Sequence, residues 1–337
     1  MKQTFLPLFL LVFLLSGCRS SSKGDSSLKE TAYLFSYFTS QEGGLRLAWS
    51  TDGLVWNEIR RADNRSFLVP AVGEDKLMRD PSICKGPDGI FRMVWTSSWE
   101  DRIIGYASSE DLVHWSEQKA IPVMMHEPDA HNCWAPELFY DEATSLFWIY
   151  WATTIPGRHS EVAESEQEKG LNHRIYAVTT ADFESFSPTF LLFNPDFSAI
   201  DAAIAKSPVD NTLIFVVKNE NPNPPEKNIR VARLAHMPSP GQEMTAASCG
   251  MSALSGPIHG DYWAEGPSPL FVNDTLYVYY DRYREHRYGA ARSADNGRTW
   301  ENADSLVHFP RGTRHGTAFA VTKDFLDQLL ELAAMPE

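Results

Sequence analysis

Four acidic residues and a histidine stand near the starts of short strand-like stretches: Asp80 in "RDPS", Glu137 in "WAPE", Asp201 in "AIDAA", Glu265 in "EGPS" and His315 in "RHGTAF". The steps between them are 57, 64, 64 and 50 residues. A carboxylate is costly to bury, so one placed at the head of an apolar strand needs a partner or a task. Carboxyls that converge on one pocket can work on a glycosidic bond. One protonates the departing oxygen while another acts on the opposite face of the sugar. Such chemistry requires residues some sixty positions apart to meet.

The chain between the markers shows how they would meet. Strand-rich runs such as "FRMVWTSSW", "FWIYWATT", "TLIFVVKN" and "TLYVYYDRY" fill the intervals. A second series alternates with the first: "LAWSTDGLVWNE", "GYASSEDLVHWSE", "YAVTTADFESFSP" and "GAARSADNGRTWE", with "RVARLAHMPSPG" as a degenerate fifth copy. Each full copy has a small-and-apolar strand, a Ser or Thr, an Asp-centred turn and a following aromatic. A period near 60 residues with four strands per unit predicts an all-β fold, a five-bladed β-propeller. The strands at 32–59 precede the first marker and few strands follow the last, so the N-terminal strands are expected to complete the final blade beside "RHGTAFAV". "FLDQLLELAAM" predicts one short terminal helix. In a propeller the first strand of each blade lines the central channel, and the five markers would open on one face.

Composition narrows the partners. A net charge of −14 over 337 residues argues against nucleic acid. The opening "MKQTFLPLFLLVFLLSGC" reads as a secretory signal over residues 1–17, too short and abruptly ended for a membrane-spanning helix. "LSGC" resembles the bacterial lipobox, in which cleavage leaves Cys18 to be acylated. Residues 18–30, with "RSSSKGDSS", form a tether, and 31–337 form one catalytic domain. The expected location is the outer membrane, at the cell surface or on the periplasmic side, held by a lipid anchor. Cys84, Cys133 and Cys249 fit no metal or disulfide spacing and are read as small buried hydrophobes.

Taken in order, "RDPS", "WAPE", "AIDAA" and "EGP" resemble glycoside hydrolase family 43, five-bladed enzymes acting on arabinose-, xylose- and some galactose-containing polysaccharides. The resemblance covers roughly residues 75–320. It implies Asp80 as general base, Glu265 as general acid and Asp201 as the carboxylate that tunes and orients that acid, with inversion of configuration. Two departures stand out: Arg79 precedes Asp80 where the family often has His, and Ala202 follows Asp201 where it often has Pro. His315 falls where many members place a histidine near a central calcium or water cluster. No cofactor is expected to be required, and a structural calcium at the axis is the one ion the resemblance allows, although calcium prefers oxygen ligands. The implied partner is a polysaccharide or oligosaccharide, losing arabinofuranosyl, xylosyl or galactosyl units to a monomeric enzyme.

Further candidates surround these. Trp134, Glu137 and Arg282 are read as substrate-binding, with Glu137 alternatively holding the pocket's architecture. Trp99, Trp134 and Trp263 are candidates for a stacking wall. "HSEVAESEQEKGLNH", residues 159–173, is an acidic insertion that would be either a solvated loop or an overhang of the cleft. Three rival readings remain: a non-catalytic glycan-binding propeller, a sialidase suggested by "STDGLVW" and "SADNGRTW", and a phosphorylase using Arg282, Arg284 and Arg287.

Overall fold

The computed structural model describes residue 1 and residues 30–40, 43–163, 167–223 and 225–336. The expected signal, Cys18 and most of the tether lie outside the described residues. The first three strands, β1 (Thr31–Phe38), β2 (Arg46–Ser50) and β3 (Asn57–Ile59), make three quarters of a blade. Next come β4 (Arg79–Lys85), β5 (Phe91–Thr96), β6 (Ile104–Ser109) and β7 (Lys119–Ile121), then β8 (Trp134–Asp141), β9 (Leu146–Thr154), β10 (His173–Thr180) and β11 (Phe190–Phe193). A three-stranded blade follows, of β12 (Ala199–Lys206), β13 (Leu213–Asn219) and β14 (Asn228–Leu234), ahead of the short helix α1 (Ala246–Cys249). The next is β15 (Glu265–Val272), β16 (Thr275–Arg282), β17 (Arg287–Ser293) and β18 (Glu301–Asn302). Finally β19 (Arg314–Thr322) pairs antiparallel with β1 and closes the ring, and α2 (Lys323–Ala333) ends the fold. The result is the expected all-β five-bladed propeller, closed by the N-terminal strands.

The four full copies of the turn fold alike. Ser50, Ser109, Thr180 and Ser293 each accept a backbone N–H at the turn, from Gly53, Leu112, Phe183 and Gly297. Asp52, Asp111, Asp182 and Asp295 each accept two further N–H groups through Oδ1. "RVARLAHMPSPG" does not make this turn, because Leu234 and His236, at the positions of the Ser/Thr and the Asp, supply neither hydroxyl nor carboxylate. Its blade therefore lacks a fourth strand. Residues 252–258 instead lie along β14 as irregular chain, with Ser252, Ser255 and Ile258 donating to Arg233, Val231 and Ile229.

The inner runs read as continuously apolar rather than alternating because each blade is covered on both sides by its neighbours. β5 and β10 are buried at every position. Five apolar clusters fill the five blade-to-blade contacts, one of them sealed by Leu326 and Leu329 of α2. Cys133 and Cys249 are buried free thiols, and Cys84 is half-buried.

Candidate active site

The site is made by a repeated irregularity. In β4, β8, β12 and β15 the ladder slips at the same place, between Arg79 and Ser82, Trp134 and Glu137, Ile200 and Ala203, and Glu265 and Ser268. The residue after the last pair before the slip has a left-handed backbone: Asp80 at φ 51°, Ala135 at 47°, Asp201 at 53° and Gly266 at 58°. In β19 the slip against β1 falls opposite His315 and Gly316. Such bulges bend a strand and re-aim its side chains. Register corrects the simple picture of five equivalent markers. Asp80, Asp201 and His315 share one level with Ala135 and Gly266. Glu265 stands one residue earlier, and Glu137 two residues later.

At the shared level Asp80, Asp201 and His315 meet, all nearly buried. His315 Nδ1 lies 3.3 Å from Asp80 Oδ1 and 3.9 Å from Asp201 Oδ1. Thr96 Oγ1 donates to Asp80 Oδ2 at 2.8 Å and itself accepts Ala135 N–H at 2.8 Å, so one hydroxyl ties the carboxylate to the next blade. Asp201 Oδ2 accepts Gly266 N–H at 3.0 Å, across the blade boundary from Glu265. A side chain at Gly266 would start 2.4 Å from the His315 ring, which is why glycine stands there. Burial pushes the Asp201 carboxyl up, against the pull of His315 and Lys218. Burial opposes charge on His315 as well, but Asp201, Asp80, Glu137 and Glu265 outweigh it and raise its pKa.

Glu265, partly exposed, is gripped from two sides. Lys218 Nζ stands 3.4 Å from Oε2, and Arg314 donates to Oε1 at 3.2 Å. Each cation is backed by a second carboxylate. Lys218 lies 2.5 Å from Glu220, and Arg314 Nε donates to the fully buried Asp281 at 2.6 Å. Burial works against the charge of Lys218, yet Glu220, Glu265 and Asp201 hold its pKa well above the ordinary value. Burial raises Asp281 to about 7, with Arg314 acting in the opposite direction. Lys227 extends the chain of charges from Glu220 to Glu168, which fastens the acidic insertion near the cleft. The buried Arg174 holds the same insertion through Glu161.

Asp80, Asp201, Glu265, His315, Lys218 and Glu220 border a cavity of about 140 Å³. Trp99 and Trp134 form one wall, edge to face at 6.0 Å, with Trp134 Nε1 donating to the Trp99 carbonyl. Trp263 is stacked under Arg284, outside the lining of this cavity. Arg282 is turned away and bound to Asp304 and Glu285, correcting its reading as a substrate contact. Side chains alternate along a strand, so when Asp281 faces Arg314 its neighbour must face the other side. Glu137 also leaves the substrate side. Its two oxygens accept from Ser82 at 2.6 Å and Thr317 at 2.8 Å, so it ties three blades together beneath the pocket and takes the architectural role. Burial lifts its carboxyl to about 7. Arg287 is paired with Glu285, so no free basic cluster of Arg282 and Arg287 waits for phosphate. At His315 the Nδ1 faces the Asp80 and Asp201 carboxylates, which favour charge on the imidazole. Among the described residues no three His, Cys, Asp or Glu side chains group as metal ligands.

A five-bladed propeller with acidic groups converging at the mouth of its axis, beside an aromatic wall, defines a glycosidase-type architecture. A family model described as "Probable glycosyl hydrolase domain", related to glycosyl hydrolase family 43, matches residues 29–327, and the chain belongs to that family. Among solved structures it is similar to the Bacteroides ovatus xyloglucan PUL protein GH43B, at 19% identity and TM-score 0.49, over 71% of this chain and 42% of that one. It is also similar to an α-L-arabinofuranosidase from Lactobacillus brevis, at 17% and 0.48, over 67% and 72%. A Bacillus subtilis arabinanase gives 15% and 0.46, over 68% and 78%. Nothing among curated proteins matches the chain.

Proposed function

We propose that the protein is an inverting O-glycosyl hydrolase that removes single arabinofuranosyl, xylosyl or galactosyl units from plant-type polysaccharides or oligosaccharides. The carrying observation is that Asp80, Asp201 and Glu265 border one small cavity, each with separate partners. Asp80, oriented by Thr96 and His315, is placed to activate water. Glu265, held on the same cavity by Lys218 and Arg314, is placed to protonate the leaving oxygen. Asp201 reaches the backbone beside Glu265 and orients that acid. The cavity's small size and aromatic wall favour a chain-terminal unit over a continuous groove. Proton NMR of the first sugar released from an aryl arabinofuranoside or xyloside tests the mechanism. Inverted anomeric configuration is expected, and net retention overturns it.

The reading includes a lipid anchor at Cys18, supported by "LSGC" at the end of the apolar run. Cys18→Ala should release the protein from the membrane fraction, and continued membrane association refutes the anchor.

A further inference from the structure

The cations around the cleft are almost all spent. Lys218 serves Glu220 and Glu265, Arg314 serves Asp281 and Glu265, and Lys227 serves Glu220 and Glu168. Arg79 differs. It borders the cavity, half-buried, and among the described residues no carboxylate or carbonyl accepts from its guanidinium. The adjacent Asp80 offers nothing, since its two oxygens face Thr96 and His315. Arg79 is nevertheless held in place. Its guanidinium carbon lies 4.6 Å from the Phe38 ring centre and 4.7 Å from that of Trp99. Phe38 is buried, whereas Trp99 stands open at the rim. Aromatic contact strips water from the flat surfaces of a guanidinium and restricts its rotation, leaving the N–H edges as its unsatisfied groups.

We propose that Arg79 is a recognition point for a carboxylate, so that the saccharide this cleft prefers contains a uronic acid. The proposal rests on the reading of the cleft as a sugar site and adds a substrate class to it. A planar fork with its edges unpaired matches a carboxylate through two parallel hydrogen bonds, a geometry that neither a point-charge lysine nor a neutral hydroxyl reproduces. Position favours it too, because Arg79 belongs to the same inner-strand start as Asp80 and is therefore fixed relative to the reacting groups. The cavity is also lined by Asp80, Asp201, Glu220 and Glu265, so a ligand carboxylate is accommodated only at the Arg79 fork, which fixes its orientation in the cleft.

The test is binding, read without turnover. Galacturonate and galactose, then glucuronate and glucose, are titrated against the whole protein by ligand-observed NMR, and the ratio of their dissociation constants is taken. Each uronate should bind about tenfold or more tighter than its neutral twin. Arg79→Gln should bring the ratio close to one. Arg79→Lys, which keeps the charge and loses the fork, should leave only a small part of the preference. Equal binding of acid and neutral sugar, a preference that survives Arg79→Gln, or no uronate binding at all would overturn the proposal. Hydrolysis of aryl glycosides of both the neutral sugars and the uronates is followed in parallel. Turnover without uronate preference refutes the role of Arg79 alone, whereas uronate preference without any turnover refutes the hydrolase reading and leaves Arg79 standing.

Discussion

Replacing Lys218 by methionine should separate the grip on Glu265 from the rest of the site. Lys218 is buried, 2.5 Å from Glu220 and 3.4 Å from Glu265. Breaking a fully buried ion pair costs about 3–5 kcal/mol, because the partner's charge stays behind. Here both partners keep some water and a second cation, Glu220 through Lys227 and Glu265 through Arg314. The expected loss is therefore nearer ~2 kcal/mol. With an unfolding entropy of about 2 cal/mol/K per residue over roughly 300 residues, that lowers Tm by about 3 °C. The kinetic effect should be larger and selective. Glu265 Oε2 loses its anchor while Oε1 keeps Arg314, so the carboxyl swings. A displacement of about 1 Å costs up to ~100-fold when a proton must be delivered. Glycosides with poor leaving groups should lose roughly that much kcat/KM, and an activated aryl glycoside less than about tenfold. Calorimetry and paired kinetics on the two substrates check this. Equal losses on both, or an unchanged Tm, would refute the argument that Lys218 acts by holding Glu265.

Glu265→Ala should likewise recover much of its lost rate on an activated aryl glycoside, whereas Asp80→Asn should not, because water still has to be activated whatever leaves; parallel losses would mean the roles are misassigned. Thr96→Val should cut kcat by about tenfold for good and poor leaving groups alike, since it frees Asp80 without touching the acid; steady-state kinetics on both substrates test it. Glu137 carries a pH signature: its carboxyl ionises at about 7 in the fold against 4.5 ordinarily, so the folded state holds a proton that the unfolded chain has already released. Stability should consequently fall between pH 4.5 and 7, by about 2–3 kcal/mol from this group. Glu137→Gln should flatten that part of the Tm-versus-pH curve, and an unchanged slope would refute it.

The propeller was legible because each blade repeats two local devices, the Ser/Thr–Asp turn and the apolar inner strand, and both are set by neighbours in sequence. The three carboxylates and His315 were legible for the same reason, since each lies at the start of an inner strand. What escaped notice lies one strand further out. Opposite Arg79, Trp134, Ile200 and Glu265 the ladder places Thr96, Ala152, Lys218 and Asp281, and opposite Arg314 it places Phe38. These form a second ring around the first, including the residue that orients Asp80, the one that grips Glu265 and the one that backs Arg314. A signal existed: "MVWT", "LIFVVK" and "LYVYYD" each run apolar and then end on a polar residue. Reading it requires the register, which the bulges set and which no single strand reveals. Arg282 was misjudged through that parity, one position along from Asp281. For Glu137 the sequence left two roles open, and the bulge, by carrying it below the level of its apparent equivalents, favours the architectural one.

The closure of the ring also sets where the first residues of β1 lie. β19 starts at the cleft, with Arg314 and His315, and ends at Thr322 on the far face, where Thr31 pairs with it. Thr31 thus stands on the side opposite the cleft. A lipid at Cys18 would turn that side toward the bilayer and leave the mouth facing the medium. Traction through such a tether acts along β1, which is bonded on one side to β19 and on the other to β2. Force in that direction is shared by many rungs at once, instead of opening them singly as peeling would. If Cys18 carries the proposed lipid, the strand that completes the circle is also the strand that bears the load.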